Sequence, residues 1–161
     1  MMKKIATLII GALLISLVSP LAGFENDIFY RKILEPYGLK MKQLSLDGDY
    51  EQLIEFYDES VTLMAPMEPP HHGPAAIRRD LQELKKNRHR YHSIDGKVLN
   101  VWGCGEDIYE RGTFSVSFST KDQPKPQAIY GSYFTIWRRQ EDGSYKIKFT
   151  MWNLDYNPWH D

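Results

Sequence analysis

Between Tyr91 and Asp155 the sequence passes through four strand-like runs, "YHSIDGKVLNVW", "DIYERGTFSVSF", "QAIYGSYFTIWRRQ" and "SYKIKFTMWNLD", with nothing helical between them. Gly103 and Gly105 separate the first two, a polar, proline-bearing stretch (119–126) the next two, and "EDGS" the last two. Asp142-Gly143 is a hairpin signal, and connections this short join antiparallel neighbours. The last run alternates most clearly. Strict alternation there puts Tyr145, Ile147, Phe149 and Met151 on one side, and Lys146, Lys148 and Thr150 on the other.

A sheet of this size needs a cover, and the preceding residues read as helices. Ile28, Ile33, Leu34, Leu39, Met41, Leu44 and Leu46 make a helical stripe that Pro36 and Gly38 should break or kink. Asp49 can cap a short helix over Tyr50–Tyr57, and "VTLMA" (61–65) is a strand ended by Pro66. Gly73-Pro74 opens a further helix with Ile77, Leu81 and Leu84 on one face and a basic end, "KKNRHR", where cations complement the helix dipole. Helices segregated against a curved antiparallel sheet make an α+β fold, which can hold an internal apolar pocket at its open end.

The first residues have another character. Lys3 and Lys4 precede an apolar run from Ile5 to Val18 and then "SPLAG", the order of a secretory signal, so residues 1–23 are expected to be removed and 24–161 to form one domain. The apolar run is short for a membrane span, which needs about 20 residues. Phe24 stands where a lipidated cysteine would have to be, so no lipid anchor is expected. The protein is expected to be exported, periplasmic or secreted, with no stable membrane span after cleavage. Removal of residues 1–23 takes two lysines and no acid, moving the net charge from −1 to −3 and giving no reason to expect a nucleic-acid partner. Cys104 is the only cysteine, so no internal disulfide forms. Aromatic residues are 13% of the chain, which suits aromatic-rich strands or a lined cavity.

The segments "YDESVTLMAP" and "PPHHGPAAI", followed by "YERGTF", "GSYFTIWRR", "DGSYKI" and "MWNLD", resemble the nuclear-transport-factor-2-like superfamily, in particular its SnoaL-like and ketosteroid-isomerase-like bacterial domains. The likeness spans roughly Leu39 to Asp155. It implies a cone-shaped α+β barrel with the sheet wrapped around the helices, a deep pocket and, usually, a homodimer; it does not imply one activity. In steroid isomerases of the superfamily the general base is an aspartate just before the proline that ends the first strand. Ala65 stands there in this chain, and Leu39–Leu46 offers no oxyanion-hole tyrosine, so the isomerase chemistry is not expected in its usual form.

Three groups are candidates for acid–base work: Glu110, which shares a strand face with Phe114, Val116 and Phe118; Asp155, at the end of the last strand; and His72, in the proline-rich loop. Tyr57, Tyr133, Trp137, Met151 and Asn153 are candidate ligand-binding residues. Each has a plainer reading: Glu110 as a charge reaching water, the histidines on an exposed stiff loop, the aromatics as core, Asp58 and Glu59 as a helix end. No metal spacing is present; His89 and His92, three apart, fall on opposite strand faces, and no cofactor motif occurs. Tyr156 and Trp159 in the tail are large enough to cover a pocket or a partner subunit. Three functions follow: an exported domain binding a small apolar or aromatic molecule; an acid–base enzyme of the cyclase, isomerase or dehydratase kind; or a protein-interaction module.

Overall fold

The computed structural model describes residues 20–155. Most of the expected export signal, and Tyr156 and Trp159, lie outside the described residues. Among these residues the order is helix α1 (Pro20–Asp47), helix α2 (Tyr50–Leu53), a 3₁₀ turn at Ile54–Phe56, strand β1 (Tyr57–Met64), strand β2 (His71–His72), helix α3 (Gly73–Lys86), then strands β3 (Arg90–Cys104), β4 (Asp107–Ser119), β5 (Gln127–Arg139) and β6 (Tyr145–Leu154). The strands form one sheet in the order β2-β1-β6-β5-β4-β3. All neighbours are antiparallel except β1 and β6, so the sheet is mixed. This is the expected α+β design, with the helices on one face of a curved, unclosed sheet.

The core lies between α1, α3 and the inner sheet face. Leu34 of α1, Val61 and Leu63 of β1, Ile77 of α3, and Val101, Ile108, Trp137 and Ile147 of four further strands form one buried cluster. Leu44, Tyr50 and Leu53 form a second, smaller one. Asp49 caps α2 as its position suggests, accepting from the Gln52 N–H.

Three local expectations are corrected. Pro36 and Gly38 do not break the first helix; α1 runs through both. Lys32 and Pro36 sit on its solvent side, so the Lys32 carbonyl that loses its partner can be hydrated. The opposite side docks Leu34, Tyr37, Met41 and Leu44 into the two clusters. The second helix stops at Leu53, and β1 starts at Tyr57. The His71-His72 loop is more than a connection: it pairs antiparallel with Leu63 and Thr62, turning back through Met67 at φ 62°.

The correction with most consequence lies in β6. Trp137 pairs with Ile147, but Ile136 pairs with Phe149, which leaves Lys148 as an extra residue in a bulge. Alternation therefore changes sense at Lys148. Ile147 points into the core, and after the bulge the inward positions are Thr150, whose Oγ1 lies 2.9 Å from that of Thr135, and Trp152, which packs on the core. Phe149, Met151 and Asn153 face the outer side, where Phe149 meets Phe134 edge-on.

Candidate functional site

A cavity of about 590 Å³ lies between α1 and the inner face of β3, β4 and β5. Its walls are mainly apolar: Ile28, Leu34 and Leu39 from the helix, Ile94, Val98 and Val101 from β3. Ile28 and Leu39 are exposed at the mouth, whereas Leu34 and Val101 are buried. Arg31, Lys32, Glu35 and Lys42 of the helix line it as well, and Glu110 of β4 and Tyr133 of β5 are the polar groups of its strand wall.

Local backbone geometry brings these two side chains together. Glu110 pairs with Thr135, so Tyr133, two residues away on the same face, points inward beside it. Tyr133 lies opposite Gly112, where an added Cβ would fall 2.7 Å from the tyrosine ring and 2.5 Å from the Lys97 carbonyl oxygen. The missing side chain lets the ring lie flat on the strand and carry its hydroxyl to Glu110. Tyr133 O–H donates to Glu110 Oε1 at 2.5 Å. Trp137, 5% exposed, turns its indole N–H toward the same carboxyl without closing a hydrogen bond.

Burial pushes the Glu110 carboxyl above its ordinary value, against the opposing pull of the Tyr133 hydroxyl, the Trp137 N–H and the Arg31 charge. The Tyr133 phenol is raised more strongly, first by burial and then by the adjacent carboxylate. The pair can pass a proton in either sense. An ionised Glu110 can draw a proton through Tyr133 from a ligand hydroxyl; a protonated one can donate to the Tyr133 oxygen and release its O–H toward a ligand carbonyl.

The cavity depends on how α1 is fastened to β3, an edge strand. Asp27 and Arg31, one helical turn apart, form an ion pair. Arg31 donates from Nη1 to the Val98 carbonyl (2.9 Å) and from Nη2 to the Leu99 carbonyl (3.0 Å). Asp27 accepts the Val101 N–H at 3.2 Å. The ladder is irregular between Val98 and Asn100, and the charged pair satisfies backbone groups that face away from β4 there. Arg31→Ala is therefore expected to cost about 1–2 kcal/mol in urea denaturation, with an unchanged denaturant slope. A loss within error would remove the clamp from the account.

Of the candidates named from sequence, the structure brings Glu110, Tyr133 and Trp137 together. Tyr57 packs beside the core, its phenol pushed up to about 12 by burial and then by the Asp80 charge, and does not line the cavity. Met151 and Asn153 are on the outer face because of the Lys148 bulge, so the continuous pocket-lining face expected from Tyr145 onward is corrected. Asp155 is exposed beyond the end of β6, its N–H on the Tyr130 carbonyl. His72 is exposed on β2, four strand positions from β4, its Nδ1 3.1 Å from Thr62 Oγ1. The adjacent His71 instead bonds Asp80 through Nδ1 at 2.6 Å. Among the described residues no three His, Cys, Asp or Glu side chains gather as a metal site, and no helix is long and apolar enough to cross a membrane. Asp27 and Arg31 were the residues missed; their i, i+4 spacing is a visible signal of a pair, though not of its target on β3.

The sequence matches the SnoaL-like domain over residues 43–148. The chain belongs to this family. Comparison with curated protein sequences gives no match. Among solved structures, a ketosteroid isomerase-like protein from Erwinia carotovora superposes with a TM-score of 0.68 at 12% identity, covering 78% of this chain and 96% of its own. A protein from Catenulispora acidiphila, in complex with S-DNPA, gives 0.68 at 13%, covering 80% and 95%. A candidate scytalone dehydratase from Novosphingobium aromaticivorans gives 0.66 at 13%, covering 83% and 92%. Identities this low establish the SnoaL-like fold of the chain and leave its chemistry to its own residues.

Proposed function

We propose that this SnoaL-like domain binds a small, largely apolar or aromatic molecule in the cavity between α1 and β3–β5, with an oxygen of that molecule held at Glu110–Tyr133. The observation that carries the reading is the placement of one hydrogen-bonded carboxyl–phenol pair among the apolar residues of the strand wall, in an open cavity whose charged residues, Arg31, Lys32, Glu35 and Lys42, are otherwise all on the helix. The domain acts after export, on the strength of its N-terminal signal pattern, and as a homodimer. The support for a dimer is the outer sheet face, where Trp102 stacks on Tyr109 at 5.6 Å and the row continues through Phe134 to Phe149. Trp102 and Met151 are 42% and 40% exposed there.

Native mass spectrometry of protein purified from the exported fraction tests all three parts. A dimer carrying a defined extra mass is expected, and Tyr133→Phe is expected to lower its occupancy by about tenfold, the cost of one buried hydrogen bond. An empty protein that takes up no aromatic alcohol or ketone at millimolar concentration sinks the binding reading.

A second reading, an acid–base enzyme of the isomerase or dehydratase kind, is favoured by one further observation. Burial raises both partners of the Glu110–Tyr133 pair, which brings the carboxyl toward the range where proton transfer is effective.

A further inference from the structure

Gly38 and Gly96 are not explained by the fold. Neither has a positive φ. An added Cβ would meet nothing within 4 Å at Gly38, and at Gly96 only the Thr113 carbonyl oxygen, at 3.9 Å. Glycine is costly inside a helix, where it forfeits backbone entropy, and it weakens a strand interior for the same reason. α1 continues through Gly38 as regular helix, so the residue does not serve as a hinge or terminus.

Their positions supply the missing reason. Gly38 falls one turn after Leu34 and just before Met41, exposed on the flank of α1 beside the buried stripe, where the helix borders the cavity. With no side chain there, the helical wall has a notch at the edge of the cavity. Gly96 pairs with Phe114 on the inner face of β3. Both glycines line the same cavity, one from its helical wall and one from its strand wall.

We propose that Gly38 and Gly96 are the specificity-determining residues of this site, holding open the width of the cavity and so setting the largest ligand that can reach Glu110–Tyr133. The inference rests on the cavity being the binding site. A side chain at either position would project into space that a ligand needs and that the protein does not use. Small ligands that occupy only the Glu110 end would be indifferent to it; larger ones would be excluded.

Two probes differing by one fused ring test this: phenol, followed by protein-observed NMR, and 2-naphthol, followed by its fluorescence. Gly38→Leu and Gly96→Val are expected to weaken 2-naphthol by about tenfold or more while changing phenol by less than about twofold. Gly38→Ala serves as the folding control, because the helix should gain, with Tm rising by about 4 °C. Folded variants that bind 2-naphthol as wild type does would overturn the proposal and leave the cavity reading intact. Equal weakening of both probes would also overturn it, since that is general damage rather than selection by size. Wild-type protein that binds neither probe would instead bring down the cavity reading, and this inference with it.

Discussion

Inserting one alanine between Phe149 and Thr150 is expected to abolish the folded state, whereas deleting Lys148, the extra residue of the bulge, is expected to leave it standing. The bulge at Lys148 allows Ile147 to point inward while Thr150 and Trp152 do so as well. Deleting Lys148 restores plain alternation and keeps that inward set; after the insertion, either Met151 and Asn153 become inward residues, or the Gln140–Ser144 turn must absorb the extra residue. The first alternative sends Trp152 to the surface, breaks the buried Thr135–Thr150 contact and turns an asparagine toward the core. Moving one large apolar side chain out of a core costs about 1.5–3 kcal/mol, and an unpaired buried polar group about 1–3 more. Several such terms together rival the roughly 5–15 kcal/mol available to a domain. Lys148→Ala keeps the backbone count and removes only a half-exposed charge, so it is expected to change stability by less than about 1 kcal/mol. Circular dichroism melts of the insertion and deletion variants decide the matter. An insertion variant that melts cooperatively near the wild-type temperature would show that the turn, and not the strand register beyond the bulge, fixes the face of β6.

That bulge also marks the limit of what the sequence disclosed. The strands were legible because their apolar and β-branched runs are bounded by glycine, proline and Asp-Gly signals, which are local. The face of each strand was legible only while alternation held. Lys148 looks like any outward lysine in "YKIKFTMW", and nothing local says that Phe149 follows it outward rather than returning to the core. Met151 and Asn153 were misplaced for that one reason. Glu110 and Tyr133 lie on strands whose shared register is unbroken from Asp107 to Phe118, so simple alternation places both inward. Pro36 misled in the opposite sense: a strong local breaker was overridden because its lost hydrogen bond falls on the solvent side, while the other side of α1 is docked. The parallel pairing of β1 with β6 joins residues about ninety positions apart, and no local pattern encodes it.

Glu110→Gln carries the largest expected functional effect. The glutamine keeps the shape and an acceptor oxygen for the Tyr133 hydroxyl, so the cavity and ligand affinity should survive within a few-fold; what disappears is the titrating proton. In the enzyme reading, turnover falls by about 10²–10⁴-fold. The same substitution has a signature in stability that needs no substrate. Burial raises the folded-state pKa of Glu110 above its ordinary 4.5, so between the two values the folded state holds a proton that the unfolded chain has released. The stabilisation from that proton is fully present below about pH 4.5 and is lost as pH rises through the folded value. Asp27 and Asp107 act with the opposite sign: the arginine bonded to each lowers its pKa from 3.8, so their contribution is present above that value and is lost as pH falls. Both aspartates remain in the variant, and their contributions cancel when variant and wild type are compared at each pH. The stability difference should therefore move in favour of Glu110→Gln from about pH 4.5 upward and level off once wild-type Glu110 is ionised. Urea denaturation of the two proteins from pH 4 to 8 measures it. A difference that stays flat across that range would mean that Glu110 titrates as an ordinary solvated carboxylate, and the acid–base role would go with it, leaving Tyr133 and the apolar walls as a binding site alone.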